Sequence, residues 1–155
     1  MSPKGEEGWM TDETNFERVR AFHQAVGGVA PKAPASPDAA ILSLRQTLIR
    51  EEYGEVAAAF EQALAARAAG EAMDIVPLAH ELADLLYVAY GGLVELGVDG
   101  DKVFAEVHRA NMDKVRGPKR ADGKQLKPAD WQPADVGAVI VGQRWVEEEG
   151  QASQA

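Results

Sequence analysis

Phe16, Val19, Phe22 and Val26 recur every three or four residues, which predicts a first helix with one apolar face. Thr11 or Asp12 stands ahead of it as an N-cap, and Gly27 and Gly28 end it. Phe22 reads as a core residue on that face. The stretch VAPKAPASPD carries too much proline for a helix or a central strand, so it is a loop of roughly ten residues, long enough to shape a pocket wall. Asp38 caps a long second helix that runs to about Ala69, with Gly54 as its one weak point and Gly70 as its stop. Asp74 caps a third, with Pro77 in its first turn and Gly97 after its end near Leu96. Gly91 and Gly92 weaken its last turns or let another element approach closely. Asp99 caps a fourth that stops near Arg116, ahead of Gly117 and Pro118.

The pattern changes after Arg116. RADGKQLKPADWQPADV holds a DG turn signal and two prolines, and forms a small hairpin or an ordered loop. Trp131 would pin it to the domain. Residues 133–146 predict a last short helix. The expectation is an all-α protein, a four-helix bundle with a C-terminal appendage, spanning residues 11–146 between a flexible arm (1–10) and a flexible tail (147–155).

Composition narrows the function classes. The 155 residues are 46% hydrophobic and carry a formal net charge of −9. The first figure fits a folded core, and the second argues against binding a nucleic-acid backbone. With no cysteine, thiolate metal sites, thiol nucleophiles and disulfides are excluded. MSPKGEEGWM lacks the apolar core of a signal peptide, and no apolar run reaches the ~20 residues of a membrane span. These observations predict a cytoplasmic protein without membrane contacts.

The candidate chemistry lies in two short motifs. EEYGE places Glu51, Glu52 and Glu55 on the second helix, projecting within about 100° of one another. HELAD places Glu81 and Asp84 three apart on the third. A short link makes the two helices antiparallel neighbours, so the two acidic faces can meet. A lone ExxE is usually a solvated helix face. Here both motifs are flanked by core-type residues, Leu48, Val56 and Phe60 around the first and Leu82, Leu85 and Val88 around the second. Clustered carboxylates in such a setting are strongly destabilising unless a cation joins them. Gly54 would let a ligand or another backbone come close. None of His23, His80 and His108 stands three residues after a glutamate, which argues against a di-iron centre. Oxygen-only ligation favours Mg²⁺, with Mn²⁺ possible, and hence phosphate chemistry. Cations for phosphate gather at the end of the fourth helix in HRANMDKVRGPKR, where Asn111 and Lys114 share a face near Arg109, Arg116, Lys119 and Arg120. Helix C-termini attract basic residues through the dipole alone, so this cluster gains meaning only beside the acidic one.

The order EExxE, then ExxD, then NxxK resembles the all-α nucleoside triphosphate pyrophosphohydrolases: the MazG-like and phosphoribosyl-ATP pyrophosphohydrolase-like proteins and the related dimeric dUTPases. NMDKVRGPKRADGKQLKPADWQPAD is similar to the MazG-like, phosphoribosyl-ATP pyrophosphohydrolase-like branch, and the resemblance covers roughly residues 12–145. It implies metal ligation by Glu52, Glu55, Glu81 and Asp84 of two or three Mg²⁺ ions. It implies that Glu51 orients or deprotonates the attacking water, and that Asn111 and Lys114 contact substrate. The reaction it implies is water attack at the α-phosphorus, giving a nucleoside monophosphate and pyrophosphate, in a homodimer or a dimer of dimers. Arg109 and Arg116 are further candidate phosphate contacts, and His23 and Gln24 candidate base contacts. dUTP or a related pyrimidine deoxynucleotide is the first expected substrate. The alternatives are broad NTP or phosphoribosyl-ATP hydrolysis, and a non-catalytic helical dimeric regulator. Many MazG-like sequences carry a basic residue shortly before ExxD; here His80 is the only candidate.

Overall fold

The structure, a computed structural model, describes residues 12–143. The expected arm 1–10, the tail 147–155 and the end of the appendage lie outside the described residues. The helices are α1 (Asn15–Ala25), α2 (Ala39–Ala68), α3 (Val76–Glu95), α4 (Gly100–Asp113) and α5 (Val136–Gly142), with a 3₁₀ turn at Lys114–Arg116. The fold is all-α: among the described residues the only β pairing is an isolated bridge between Lys119 and Gln125.

Local chemistry accounts for the boundaries. α1 begins after Thr14, not after Thr11 or Asp12. Thr14 and Glu17 form a capping box: the Thr14 hydroxyl accepts from Glu17 N at 3.1 Å, and the Glu17 carboxylate accepts from Thr14 N at 2.6 Å. Neither Thr11 nor Asp12 has a Glu or Gln three positions on, as the capping box needs. Asp38 caps α2 through Ile41 N at 2.9 Å, and the helix continues without a break through Gly54. Asp74 accepts from Val76 N at 3.0 Å, one position short of a true cap, because α3 starts from Ile75 with Pro77 in its first turn. Asp99 caps α4 through Lys102 N.

α3 is the central element and packs on both α1 and α2. The α2–α3 pair is antiparallel: Arg45 meets Glu95 near one end, and Ala63 and Pro77 line one hollow near the other. Phe16, Val19 and Val94 form the fully buried centre, with Ala30, Tyr90 and Leu93 against it. α4 leans on α5 and meets the rest of the chain at the α3–α4 junction. There Gln143 closes the ring, donating to Gly97 O and accepting from Asp99 N, both at 2.9 Å. The single chain therefore holds a three-helix bundle, α1 to α3, beside an α4–α5 lobe. Apolar side chains on α4 and the 3₁₀ turn after it stay uncovered: Phe104 is 60% exposed and Val115 65%.

Phe22 corrects the core expectation. It is 49% exposed, with its ring edge-on to Tyr87 at a centroid distance of 5.8 Å. The helical period placed it on the α1 stripe, but α3 covers only the Phe16–Val19 part of that stripe.

Candidate active site

α2 and α3 carry four of the five acids on facing stripes, with Glu51 beside them. Arg45, Leu48, Glu52 and Glu55 follow one another at helical spacing on α2, as do Glu81, Asp84, Val88, Gly91 and Glu95 on α3. Packing these stripes together brings oxygens of Glu52, Glu55 and Glu81 all within 4.8 Å of one another. Glu52 is the least exposed of the three α2 acids; its Oε2 is buried and has no hydrogen-bond partner. Burial, followed by the charges of Glu55, Asp84, Glu81 and Glu51, pushes the Glu52 carboxyl above its ordinary value. Asp84 is close enough to contribute to that shift, and its Oδ2 lies 3.1 Å from His80 Nε2. Glu51 is exposed at the edge of the group.

A buried carboxylate oxygen without a donor, among convergent like charges, fits a divalent cation. The donor set is all oxygen, the chemistry that Mg²⁺ and Mn²⁺ prefer. Gly54 does not have the expected close neighbour within this chain: a side chain there would meet nothing within 4 Å. The close approach is at Gly91, where any Cβ would collide with the Arg45 guanidinium.

That guanidinium belongs to a polar network the motif reading missed. Arg45 Nε and Nη2 donate to both carboxylate oxygens of Glu95, at 2.9 and 2.6 Å, and Nη1 donates to Val88 O at 3.3 Å. His23, 8% exposed, fills the remaining side, with Nδ1 facing Val29 O at 3.3 Å and Nε2 facing Arg45 Nη2 at 3.5 Å. Both ring nitrogens thus face protein partners, while Gln24 beside it is exposed. The available signal was positional: Arg45 and Glu95 sit on the same stripes as the acids.

The cationic candidates separate into two groups. Asn111 and Lys114 come together, with Lys114 Nζ donating to Asn111 Oδ1 at 2.6 Å. Arg109 and Arg116 instead bind carboxylates of their own lobe. Arg109 forks onto Glu106 at 2.9 and 2.7 Å, and Arg116 pairs with Asp113 and Asp130. These contacts are what a phosphate would have to displace. Among the described residues, no hydrogen bond or ion pair joins this lobe to the acid cluster. Trp131 is the expected pin, donating from Nε1 to Ala110 O at 2.7 Å.

An all-α chain with convergent carboxylates on two antiparallel helices defines the class of all-α, MazG-like NTP pyrophosphohydrolases. Residues 19–111 match the phosphoribosyl-ATP pyrophosphohydrolase family, and the chain belongs to it. No curated protein matches the sequence. No helix of the described residues is long and apolar enough to cross a membrane.

Proposed function

We propose that this protein hydrolyses the triphosphate of a nucleotide between the α- and β-phosphorus, releasing a monophosphate and pyrophosphate. The observation that carries the reading is the convergence of Glu52, Glu55 and Glu81 around a buried, unpartnered carboxylate oxygen, in a chain of this family. Glu52, Glu55, Glu81 and Asp84 would hold two or three Mg²⁺, with Mn²⁺ as a substitute. Bound there, the metal supplies charge neutralisation for the triphosphate and acidifies water. Glu51, exposed beside the cluster, accepts the proton of the attacking water as its oxygen bonds to the α-phosphorus and the bond to the bridging oxygen breaks. Asn111 and Lys114 hold phosphate oxygens, with Arg109 and Arg116 as reserves that must first leave their carboxylates.

Phosphoribosyl-ATP is the first candidate substrate, because the family match bears on it directly. A pyrimidine deoxynucleotide such as dUTP is the second, and the base of either candidate needs a pocket. A cavity of about 370 Å³, walled by Phe22, Leu44, Leu48 and Tyr87, has His23, Arg45 and Glu95 as polar neighbours. It lies two turns of α2 from Glu52, roughly 10 Å, the reach of a nucleoside from its phosphates. Gln24, in the last turn of α1 at this end, is exposed and the freer of the two base-contact candidates.

A homodimer, or a dimer of dimers, completes the reading. Exposed Leu44, Tyr53, Phe60 and Leu64 on α2, Phe104 on α4 and Val115 in the 3₁₀ turn give a second copy apolar area to cover. A second copy can also bring a basic lobe to an acid cluster. The protein works in the cytoplasm, on a soluble substrate.

The test is product analysis with phosphoribosyl-ATP, dUTP, dCTP, dTTP and dATP, each with Mg²⁺ and with EDTA. Pyrophosphate plus monophosphate, lost in EDTA, is expected, and the fastest substrate identifies the pocket. Orthophosphate release would overturn the bond assignment. No turnover of any substrate would favour a non-catalytic helical regulator.

A further inference from the structure

The segment after α4 lies beyond the family-matched residues, yet it is built onto the one lysine of the NxxK motif. Trp131 is anchored by its Nε1 bond to Ala110 O, and Gln125 Nε2 donates to Lys114 O and Gly117 O at 2.7 and 2.6 Å. This places two ammonium groups at one indole. Lys127 Nζ stands 4.1 Å from the Trp131 ring centroid and Lys114 Nζ 5.5 Å. The two charges therefore lie within roughly 10 Å of each other, about one Debye length.

Their acidic neighbours are bonded to other cations. Asp113 and Asp130 are paired with Arg116, Asp122 with Arg120, and Glu106 with Arg109. Among the described residues, neither Lys114 nor Lys127 has a carboxylate partner, in a chain whose net charge is −9. The arginines thus engage these four acids, Arg116 holding two of them, and the two lysines stand at one indole with no carboxylate bonded to either. The indole attracts each cation, which offsets part of the cost of bringing them together. An anion with several oxygens offsets the rest.

We propose that Lys127 joins Lys114 as a second phosphate-binding cation, and that Trp131 is the positioning residue that holds both, so that the pair takes the diphosphate part of a ligand. This rests on the pyrophosphohydrolase reading for which ligand carries the diphosphate, but not for the existence of the clamp. Lysine suits this task because a compact ammonium on a flexible stem can follow a phosphate whose position changes.

Calorimetry of the full chain with inorganic pyrophosphate, in EDTA, tests the clamp without metal or turnover. Lys127→Ala should weaken binding about tenfold, and Lys127→Arg should keep it within about threefold. Lys124→Ala, which removes the same charge three positions before Lys127, should change it by less than about twofold. Trp131→Leu should weaken binding although both lysines remain; Lys127→Ala carries the test alone if that variant does not fold. With the fastest nucleotide, Lys127→Ala should raise KM and leave kcat nearly unchanged if the substrate triphosphate is held. It should instead relieve product inhibition if released pyrophosphate is held. Wild-type affinity in Lys127→Ala, an equal loss in Lys124→Ala, or no pyrophosphate binding by the wild type would overturn the proposal. Turnover with a flat binding series would sink the clamp and leave the enzyme. The reverse pattern would sink the enzyme and leave the clamp.

Discussion

Arg45 and Glu95, fifty positions apart, form a two-pronged ion pair at 2.6 and 2.9 Å with side chains only 12% and 10% exposed. The pair crosses the α2–α3 seam two turns from the acid cluster and has His23 of α1 against it, so it ties three helices together at one point. Breaking one side leaves a buried charge without a partner. Glu95→Met or Arg45→Met alone should cost about 3–5 kcal/mol, and the double replacement by methionines should cost less than the sum of its singles. Urea unfolding of the four proteins checks this; strict additivity would show that the pair is not coupled.

Gly91 gives a steric test of the same contact. Its missing side chain is where the Arg45 guanidinium rests. Gly91→Ala gains helix propensity but must displace that group, so a loss of about 1–3 kcal/mol is expected. Gly54→Ala, in open space, should instead stabilise by up to about 1 kcal/mol. Thermal melts of the two variants should move in opposite directions.

Glu52 gives a pH signature. Its carboxyl is raised above 4.5 by burial and by four neighbouring acids. The folded state then binds this proton more tightly than the unfolded state, so the metal-free protein loses stability as pH rises from 4.5 through the folded value. Glu52→Gln removes that penalty. In EDTA it should melt higher than wild type at pH 7, with the difference shrinking near pH 4.5. Its turnover, like that of Asp84→Asn, should fall by at least about 100-fold. Unchanged activity in both would sink the assigned ligands.

Metal binding should reverse the order of melting temperatures. At 100 times its dissociation constant, Mn²⁺ or Mg²⁺ adds about 2.7 kcal/mol to a protein that binds it only when folded. Wild type should rise with added metal, while Glu52→Gln should rise far less. A wild-type melt indifferent to both ions would remove the metal centre.

Glu106 tests the lobe. The Arg109 fork and the Asp135 backbone N–H hold its carboxyl down at about 2. The stability from this contact is fully present above 4.5 and is lost as pH falls through about 2. At pH 7, Glu106→Gln should speed amide exchange in α5, which starts at Val136, and leave α2 and α3 unchanged. Equal exchange throughout would show that Glu106 does not dock α5.

The helices were legible because their signals are local. Asp38 and Asp99 cap where short polar side chains can reach free N–H groups, and glycines close α2 and α3 where the chain turns left-handed, at Gly70 and Gly97. α1 was misplaced by two or three residues because three polar residues compete for one start and only Thr14 has a Glu three positions on. The acid site was legible for a related reason: helical spacing puts Glu52 with Glu55 and Glu81 with Asp84, whatever the helices pack against. What the amino-acid order determined by itself is therefore the set of helices, their stripes and the carboxylates on them. Tertiary packing alone decided that Arg45 meets Glu95, that His23 turns inward, that Phe22 stays half open, and that Arg109 and Arg116 bind acids of their own lobe. Each of those depends on which long side chain reaches which neighbour once two elements touch. Helical periodicity fixes the direction of a side chain but not what will stand opposite it.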